Sequence, residues 1–178
     1  MNDRVNERFD PIARLLHWSM AFLLIGMIGL GFYATSLDFY DPLYHRALHW
    51  HRSFGIVLLL LALLRLAWRL RHPAPSWPAG MPLWEQKAAL LAHAALYGLM
   101  FLLPITGYLT STADGHAIRF FDWFAIPALI PLAKGMETLL GNLHLLLAIL
   151  FVGLLLMHIA AALKHQWLDR DGILRRMW

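Results

Sequence analysis

The sequence predicts an all-α fold, an integral membrane four-helix bundle with both termini cytoplasmic, and three observations carry that expectation. The chain has 178 residues, of which 60% are hydrophobic and only 15% charged, a balance far more apolar than that of a soluble domain. Its mean hydropathy is +0.56. Four continuous apolar runs each reach the roughly 20 residues that a helix needs to cross a bilayer. The basic residues then divide unevenly between the two ends of those runs, which orients them.

The spans are expected at about 15–34, 51–70, 88–110 and 139–163, a minimum length for crossing hydrocarbon. The run from Leu15 to Tyr33 is longer than a signal-peptide core and is not followed by a small-residue cleavage site, so it is expected to be a retained helix. The runs are rich in Leu and Ala and lack period-two alternation, so a helical bundle is expected rather than a β-barrel. Pro104 in the third span should kink it, and Gly107 one turn later should ease close packing. Between the second and third spans, His72-Pro73-Ala74-Pro75-Ser76-Trp77-Pro78 reads as a stiff link, because proline fixes φ and donates no hydrogen bond. The 111–138 connection carries Phe120, Phe121, Trp123 and Phe124 and is expected to lie as an amphipathic cap on the outer membrane surface.

Counting cations gives the orientation. Arg4, Arg8 and Arg14, then Arg65, Arg69, Arg71 and Lys87, then Lys164, Arg170, Arg175 and Arg176 make eleven on one side; Arg46, Arg52, Arg119 and Lys134 make four on the other. The positive-inside rule puts the first side, with both termini, in the cytoplasm. Because these cations flank apolar runs rather than forming a soluble patch, the basic pI of about 9.8 does not point to nucleic acid. The absence of cysteine excludes disulfides, cysteine-ligated iron–sulfur clusters, thiolate zinc sites and covalent c-type haem.

Histidine is the remaining source of metal ligands, and the chain has ten. His144 and His158 are 14 residues apart on the fourth span, which returns them to within about 40° of one helix face at an axial separation of roughly 21 Å. Imidazole in hydrocarbon is costly without a partner, so two on one stripe mark a functional site. Depth pairs His17 with His158 on the inside and His51 with His144 on the outside. Two such pairs inside a four-helix bundle suit bis-histidine ligation of two non-covalent b-type haems stacked across the membrane. No covalent chemistry by the protein, and no catalytic side chain, is expected.

The ordered set of segments Leu15-Leu16-His17-Trp18, His51-Arg52-Ser53-Phe54-Gly55 with Arg65 and Arg69, His93 with Leu103-Pro104-Ile105-Thr106-Gly107, and His144 with His158 resembles the bacterial cytochrome b561 family of four-helix membrane dihaem proteins. The likeness covers residues 1–178 as one transmembrane cytochrome b domain. It implies His17, His51, His144 and His158 as haem ligands, and electron transfer from a periplasmic donor to membrane ubiquinone. Some members of the family are superoxide oxidases, so the expected activity is an oxidoreductase reaction of the superoxide:ubiquinone type, with membrane lipid and quinone as partners. A cytochrome b subunit that relays electrons from a hydrogenase or dehydrogenase partner to quinone is the alternative that related proteins suggest.

Other residues gather around this scheme. His49 is two residues from His51 and points elsewhere on a helix, so the family match selects His51, with His45 and His49 at the outer rim. Arg65, 14 residues after His51, reaches the inner haem's level, where it would either neutralise a propionate or snorkel to lipid headgroups; Arg14 faces the same choice. Gly31 lies at the outer haem's level, where it would make room for the macrocycle or for helix packing. Phe151 falls midway between His144 and His158, where it serves as core packing or as a filler between the haems. His93, near the inner end of the third span, is a fifth intramembrane imidazole with three open roles: propionate contact, quinone protonation, or replacement of His17 as ligand. On the outer side, Arg46, Arg52, Arg119 and Lys134 would steer a small anion, but Asp38, Asp41, Asp114, Asp122 and Glu137 oppose them.

Overall fold

The computed structural model describes residues 8–78 and 80–178; Arg4, counted above among the orienting cations, lies outside them. Four long helices, α1 (Pro11–Ser36), α2 (Pro42–Arg71), α3 (Leu83–Thr112) and α4 (Met136–Lys164), carry the predicted spans, and each is long and apolar enough to cross a membrane. Each helix runs past the apolar window that announced it, because its polar ends are still hydrogen-bonded helix. Asp10 starts α1 by accepting the Ala13 N–H at 2.9 Å, and Asp41 starts α2 by accepting the Leu43 N–H at 2.8 Å. In both, proline follows the cap, where a missing N–H costs nothing. Burial pushes the Asp10 carboxyl up, but the bonds it accepts from the Ala13 backbone and the Trp68 indole outweigh that and hold it below its usual value. Residues 72–78 and 80–82, with Pro73, Pro75, Pro78 and Pro82 among them, are non-helical and lie between α2 and α3.

Backbone packing is close between α1 and α2, α2 and α3, and α3 and α4, but sparse between α4 and either α1 or α2. Large apolar side chains such as Phe22, Leu64, Leu91 and Met157 point outward and remain exposed, as a lipid-facing surface requires. The small interior layer at mid-height includes Met20, Met27, Leu58, Ala62 and Phe151. Pro104 is accommodated inside α3, where its ring nitrogen offers no hydrogen to the Met100 carbonyl one turn back.

The connection after α3 departs from the expected amphipathic cap. It holds an antiparallel hairpin of β1 (Ile118–Phe120) and β2 (Phe124–Ile126), paired Ile118 to Ile126 and Phe120 to Phe124. Phe121 and Asp122 at its tip both take left-handed φ values, 45° and 61°, which cost energy in residues with a Cβ and persist only where surroundings hold them. Ser53 of α2 supplies part of that hold: its fully buried hydroxyl accepts the Phe121 N–H at 3.1 Å and donates to the Arg119 carbonyl at 3.5 Å. Trp50, Phe54 and Phe121 pack as an aromatic trio, with ring centroids 5.1–5.7 Å apart. On α3, the Tyr108 hydroxyl donates to the Pro127 carbonyl at 2.7 Å and accepts the Leu129 N–H at 2.9 Å. The hairpin is therefore seated on α2, and the segment after it on α3.

At the opposite end the residues that lead into α1 meet the C-terminal segment. The Phe9 N–H donates to the Arg176 carbonyl at 3.0 Å and the Trp18 indole to the Met177 carbonyl at 2.7 Å, while the Trp178 ring packs at a tilt against Trp18, centroids 4.7 Å apart. Arg14 donates to the Trp178 carbonyl, and the buried Arg176 donates to the Ser76 carbonyl of the proline-rich link. These two ends are called the hairpin side and the termini side below.

Ser53→Ala should cost about 1–3 kcal/mol, because it strands the Phe121 N–H in a buried place. Thermal unfolding in detergent, together with limited proteolysis at residues 119–124, checks this; unchanged stability and cleavage would mean the hydroxyl does not hold the hairpin.

Candidate functional site

Two groups of imidazoles sit across the gap that α4 leaves. On the hairpin side, His51 of α2 and His144 of α4 have ring centroids 6.2 Å apart and planes at 83°. On the termini side, the rings of His17 of α1 and His158 of α4 lie 6.4 Å apart at 79°. His93 of α3 joins the second group, 5.5 Å from His158. The structure thus brings together the two pairs that depth alone suggested. Phe151, seven residues from each α4 histidine, is 2% exposed and occupies the layer between the groups.

The hairpin-side residues fit a metal-centred planar ligand. Two imidazoles bonded to one metal along a line place their centroids about 6.3 Å apart, taking metal–nitrogen bonds of roughly 2.0–2.1 Å and about 1.1 Å from nitrogen to ring centre. Both pairs match that spacing, whereas His93 and His158 are closer than it allows. His144 Nδ1–H donates to the Leu103 carbonyl at 3.0 Å, which leaves the Nε2 lone pair for a metal. The Thr106 hydroxyl sits 3.1 Å from the same Nδ1 and donates back into α3, to the Leu102 and Leu103 carbonyls. His51 Nδ1 is buried with no partner among the described residues, an arrangement that calls for a missing ligand. Around the pair lies a cavity of about 610 Å³, with His51, His144, Gly31, Gly107, Leu58 and Phe151 among its lining, within the range of small-molecule and cofactor sites.

Two glycines shape that cavity. A Cβ added at Gly31 would lie 3.1 Å from His51 Cε1, and one at Gly107 would lie 3.2 Å from His144 Cε1. Each is tighter than an ordinary carbon contact, so glycine on α1 and α3 is what lets the imidazoles of α2 and α4 swing inward. Gly107 thus serves the His144 ring, and Gly31 serves the His51 ring.

On the termini side, Arg65 lies inside the histidine group. Its Nη1 donates to His17 Nδ1 at 3.0 Å and its Nε donates to the Tyr97 hydroxyl at 3.1 Å. Arg14 instead turns to the Trp178 carbonyl, with its Nε buried and unpartnered among the described residues. His49 and His45 stay apart from the pairs: His49 Nε2 is 3.4 Å from Asp122, and His45 packs on Phe39 and Tyr44. Asp122 also pairs with Arg119 at 3.3 Å, which takes up one of the cations expected to steer an anion.

Sequence reasoning missed several partners. Tyr97 is 32 residues from Arg65, and nothing in the local pattern announces the contact. Thr106 stands inside a segment that had been noticed, but its bond to His144 crosses 38 residues. Ser53, two residues after His51, gave no sign of the hairpin it holds. His165 could have been found, since it is one more heptad step along the stripe of His144, Phe151 and His158.

The sequence matches known proteins over nearly its whole length. A profile of the family described as prokaryotic cytochrome b561 matches residues 8–178. Cytochrome b561 homolog 2 of Escherichia coli (strain K12) is 41% identical over 172 residues, which cover 96% of this chain and 91% of that protein. Cytochrome b561 homolog 1 of the same organism is 29% identical, over 96% of this chain and 97% of the relative. A protein of Yersinia pestis named probable superoxide oxidase CybB is 28% identical, over 97% of both chains. With four helices long and apolar enough to cross a membrane and a profile match over nearly its whole length, the chain belongs to the prokaryotic cytochrome b561 family of membrane electron-transfer proteins.

Proposed function

We propose that this protein carries electrons across a bacterial inner membrane, termini in the cytoplasm, from a periplasmic donor to ubiquinone, using two non-covalent b-type haems. The observation that carries the reading is the pair of imidazole couples at two depths, each spaced for one metal and each set across the gap beside α4. His51 and His144 would hold the haem of the hairpin side, and His17 and His158 that of the termini side. When bound, two such haems supply one-electron carriers at two depths, so electrons cross the apolar layer in short steps.

The chain's own residues orient and tune these positions. The Leu103 carbonyl fixes the tautomer of His144. Gly31 and Gly107 leave the ring positions open, and Phe151 with Leu58 separates the two levels. On the termini side, arginine has only donors, so His17 accepts at Nδ1 and carries its proton on Nε2. A metal bond at Nε2 requires the other tautomer, which takes away Arg65's acceptor. Loading would therefore release Arg65 to pair with a haem propionate, a charge-assisted contact inside the bundle. His93 would stand beside the pair rather than in it, because its separation from His158 is too short for a shared metal.

Superoxide is the donor we propose, supported by the name of the Yersinia relative. Dithionite-reduced minus oxidised spectra with haem and protein quantification test the cofactors: two b-type haems per chain are expected, and none after haem-supplemented expression would overturn the reading. Reduction of the purified protein by superoxide, followed by reoxidation with a ubiquinone, tests donor and acceptor. Failure with superoxide alone, together with co-purification of a dehydrogenase, would favour a relay subunit.

Single substitutions separate the two levels. His51→Ala or His144→Ala should leave one haem per chain, His17→Ala or His158→Ala should leave the other, and His93→Ala should retain both. Two haems at native potential in any of the first four would break the assignment.

Arg65→Leu should lower the midpoint potential of the termini-side haem by tens of millivolts, since a lost positive charge disfavours the reduced state, and about 59 mV is a tenfold change for one electron. A redox titration that shows no shift would remove Arg65 from the haem's surroundings. Gly107→Ala, whose Cβ presses on His144, should reduce hairpin-side haem occupancy while the termini-side haem remains. Full occupancy by both haems in this variant would show that His144 tolerates the crowding.

A further inference from the structure

The segment after α4 forms a small basin with an uneven distribution of charge. It holds a π-helical turn (His165–Asp169) and a 3₁₀ turn (Leu174–Met177). Gln166, Trp167, Arg170, Gly172 and Arg175 line a surface cavity of about 390 Å³ there, within the range of small-molecule sites. The two acids of this stretch are engaged elsewhere. Asp169 Oδ2 accepts from Lys164 Nζ at 2.6 Å and lies 3.1 Å from His165 Nδ1. Asp171 Oδ2 lies 2.6 Å from that same nitrogen, and its Oδ1 accepts the Ile173 N–H at 3.0 Å. Neither acid lines the cavity.

The two arginines of the lining keep most of their donors. Arg170 uses only its Nε, on the Trp167 carbonyl at 3.3 Å, and the Arg175 guanidinium has no hydrogen bond or ion pair among the described residues. Its neighbour Arg176 is buried and donates to the Ser76 carbonyl, so of two consecutive arginines one anchors the segment and the other is left to the basin. At the same end Arg14, Arg65 and Lys164 all have partners. The backbone adds a second observation. Arg170 takes φ 54° and ψ 31°, a left-handed conformation that costs energy in a residue with a Cβ and that glycine or asparagine adopts more readily. Such an outlier points to a side chain kept for a task other than folding.

The surroundings define the anion that fits. A guanidinium presents paired N–H donors that match phosphate oxygens bidentately. Trp167, Leu168 and Trp178 at this end are 65%, 76% and 63% exposed, as a membrane interface favours and water does not. On α4 itself Gly153, Leu156, Met157 and Ala160 are exposed at helical spacing, an apolar face suited to acyl chains. A soluble anion would use the cations alone, whereas an amphipathic one uses the cations, the indoles and the α4 face together.

We propose that the cavity between Arg170 and Arg175 holds the phosphate of an anionic phospholipid whose acyl chains lie on α4. The ammonium of a zwitterionic headgroup would meet two guanidiniums, so a headgroup without one, as in phosphatidylglycerol, is selected. The Gln166 amide, also in the lining, can both donate to and accept from its glycerol hydroxyls. The site stands apart from the imidazole pairs and does not depend on the donor or acceptor of electrons.

The test uses the full chain with its haems, delipidated in neutral detergent and titrated with dioleoyl-phosphatidylglycerol, dioleoyl-phosphatidylcholine or inorganic phosphate. Native mass spectrometry reads the bound molecule, and the unfolding temperature reads the stabilisation that a ligand of the folded state produces. Phosphatidylglycerol should bind and raise that temperature, while the other two at the same concentration should do neither. Arg170→Gln combined with Arg175→Gln should weaken the binding about tenfold or more. Arg71→Gln combined with Lys87→Gln, which removes two exposed cations of the same end outside the cavity, should bind as wild type does. Arg170→Gly separates binding from folding: glycine takes the left-handed backbone without strain, so the lipid-free variant should unfold no earlier than wild type and yet bind phosphatidylglycerol more weakly.

Wild-type binding by the Arg170 and Arg175 double variant would overturn the site. Equal loss in the Arg71 and Lys87 variant would reduce it to the general charge of this end and overturn it as well. Equal binding of phosphatidylcholine would overturn the selection by charge, and equal binding of inorganic phosphate would overturn the lipid as occupant.

Discussion

A neutral imidazole inside a hydrocarbon layer carries one N–H and one lone pair, and each must find a partner or cost several kilocalories. This chain places five such rings within its bundle, and the positions of its helices follow from how they are satisfied. Helix α4 contributes one ring to each level and stands away from α1 and α2, which supply the opposing rings, while α3 packs closely on α4 and closes the other side. Were α4 packed as tightly on α1 and α2 as it is on α3, the rings of each couple could not keep a metal's width between them. The gap is maintained by bulk at mid-height, where Phe151, Leu58, Met20 and Met27 fill the interior, and by its absence at Gly31 and Gly107. Large side chains between the levels and none beside the rings are two halves of one device.

The two levels are satisfied differently, and the difference is electrostatic. His144 gives its Nδ1 proton to a backbone carbonyl, a neutral acceptor that fixes the tautomer. His17 receives a bond from a guanidinium, so a full positive charge stands within 3.0 Å of that ring. On the haem reading that cation would turn from His17 to a propionate of the termini-side haem, so two chemically identical cofactors would sit in unlike fields: a cation stabilises the reduced state on the termini side, and a carbonyl dipole does less on the hairpin side. That gradient favours electron flow toward the termini side, which is the direction the proposed donor and acceptor require.

The helices were legible because a bilayer demands about 20 apolar residues at a stretch, and a helix's 3.6 residues per turn makes 14-residue spacing visible as one face. His144 and His158 could therefore be placed on one stripe, and depth then selected His17 and His51. What lay hidden was everything fixed by long-range contact. The strands Ile118–Phe120 and Phe124–Ile126 are three residues each, too short for alternation to register, and their aromatic content reads equally well as an interfacial cap. Their position depends on Ser53, 66 residues before Arg119. Tyr97 and Thr106 are likewise ordinary helix residues until tertiary packing brings Arg65 and His144 against them. His165 escaped notice for another reason: it lies just beyond the apolar run in which membrane histidines draw attention.

The two ends of the bundle also differ in a way that matches the proposed chemistry. Superoxide becomes dioxygen by losing one electron and releases no proton, so a donor end needs an approach to the carrier but no proton path. On the hairpin side, the ion pairs of His49, Asp122, Arg119, Asp114 and His116 include well-exposed partners and lie on the hairpin and its rim; Asp114, held low by bonds from the His116 backbone and side chain, is simply a solvated surface carboxylate. Ubiquinone, by contrast, takes two protons with its two electrons, so the acceptor end must admit protons to an apolar layer. On the termini side, ionisable groups do enter the bundle's end, linked from Asp171 through Lys164 to Glu85. An electron carrier whose donor is aprotic and whose acceptor is protic needs this asymmetry, and it is built from side chains that the helical pattern alone does not require.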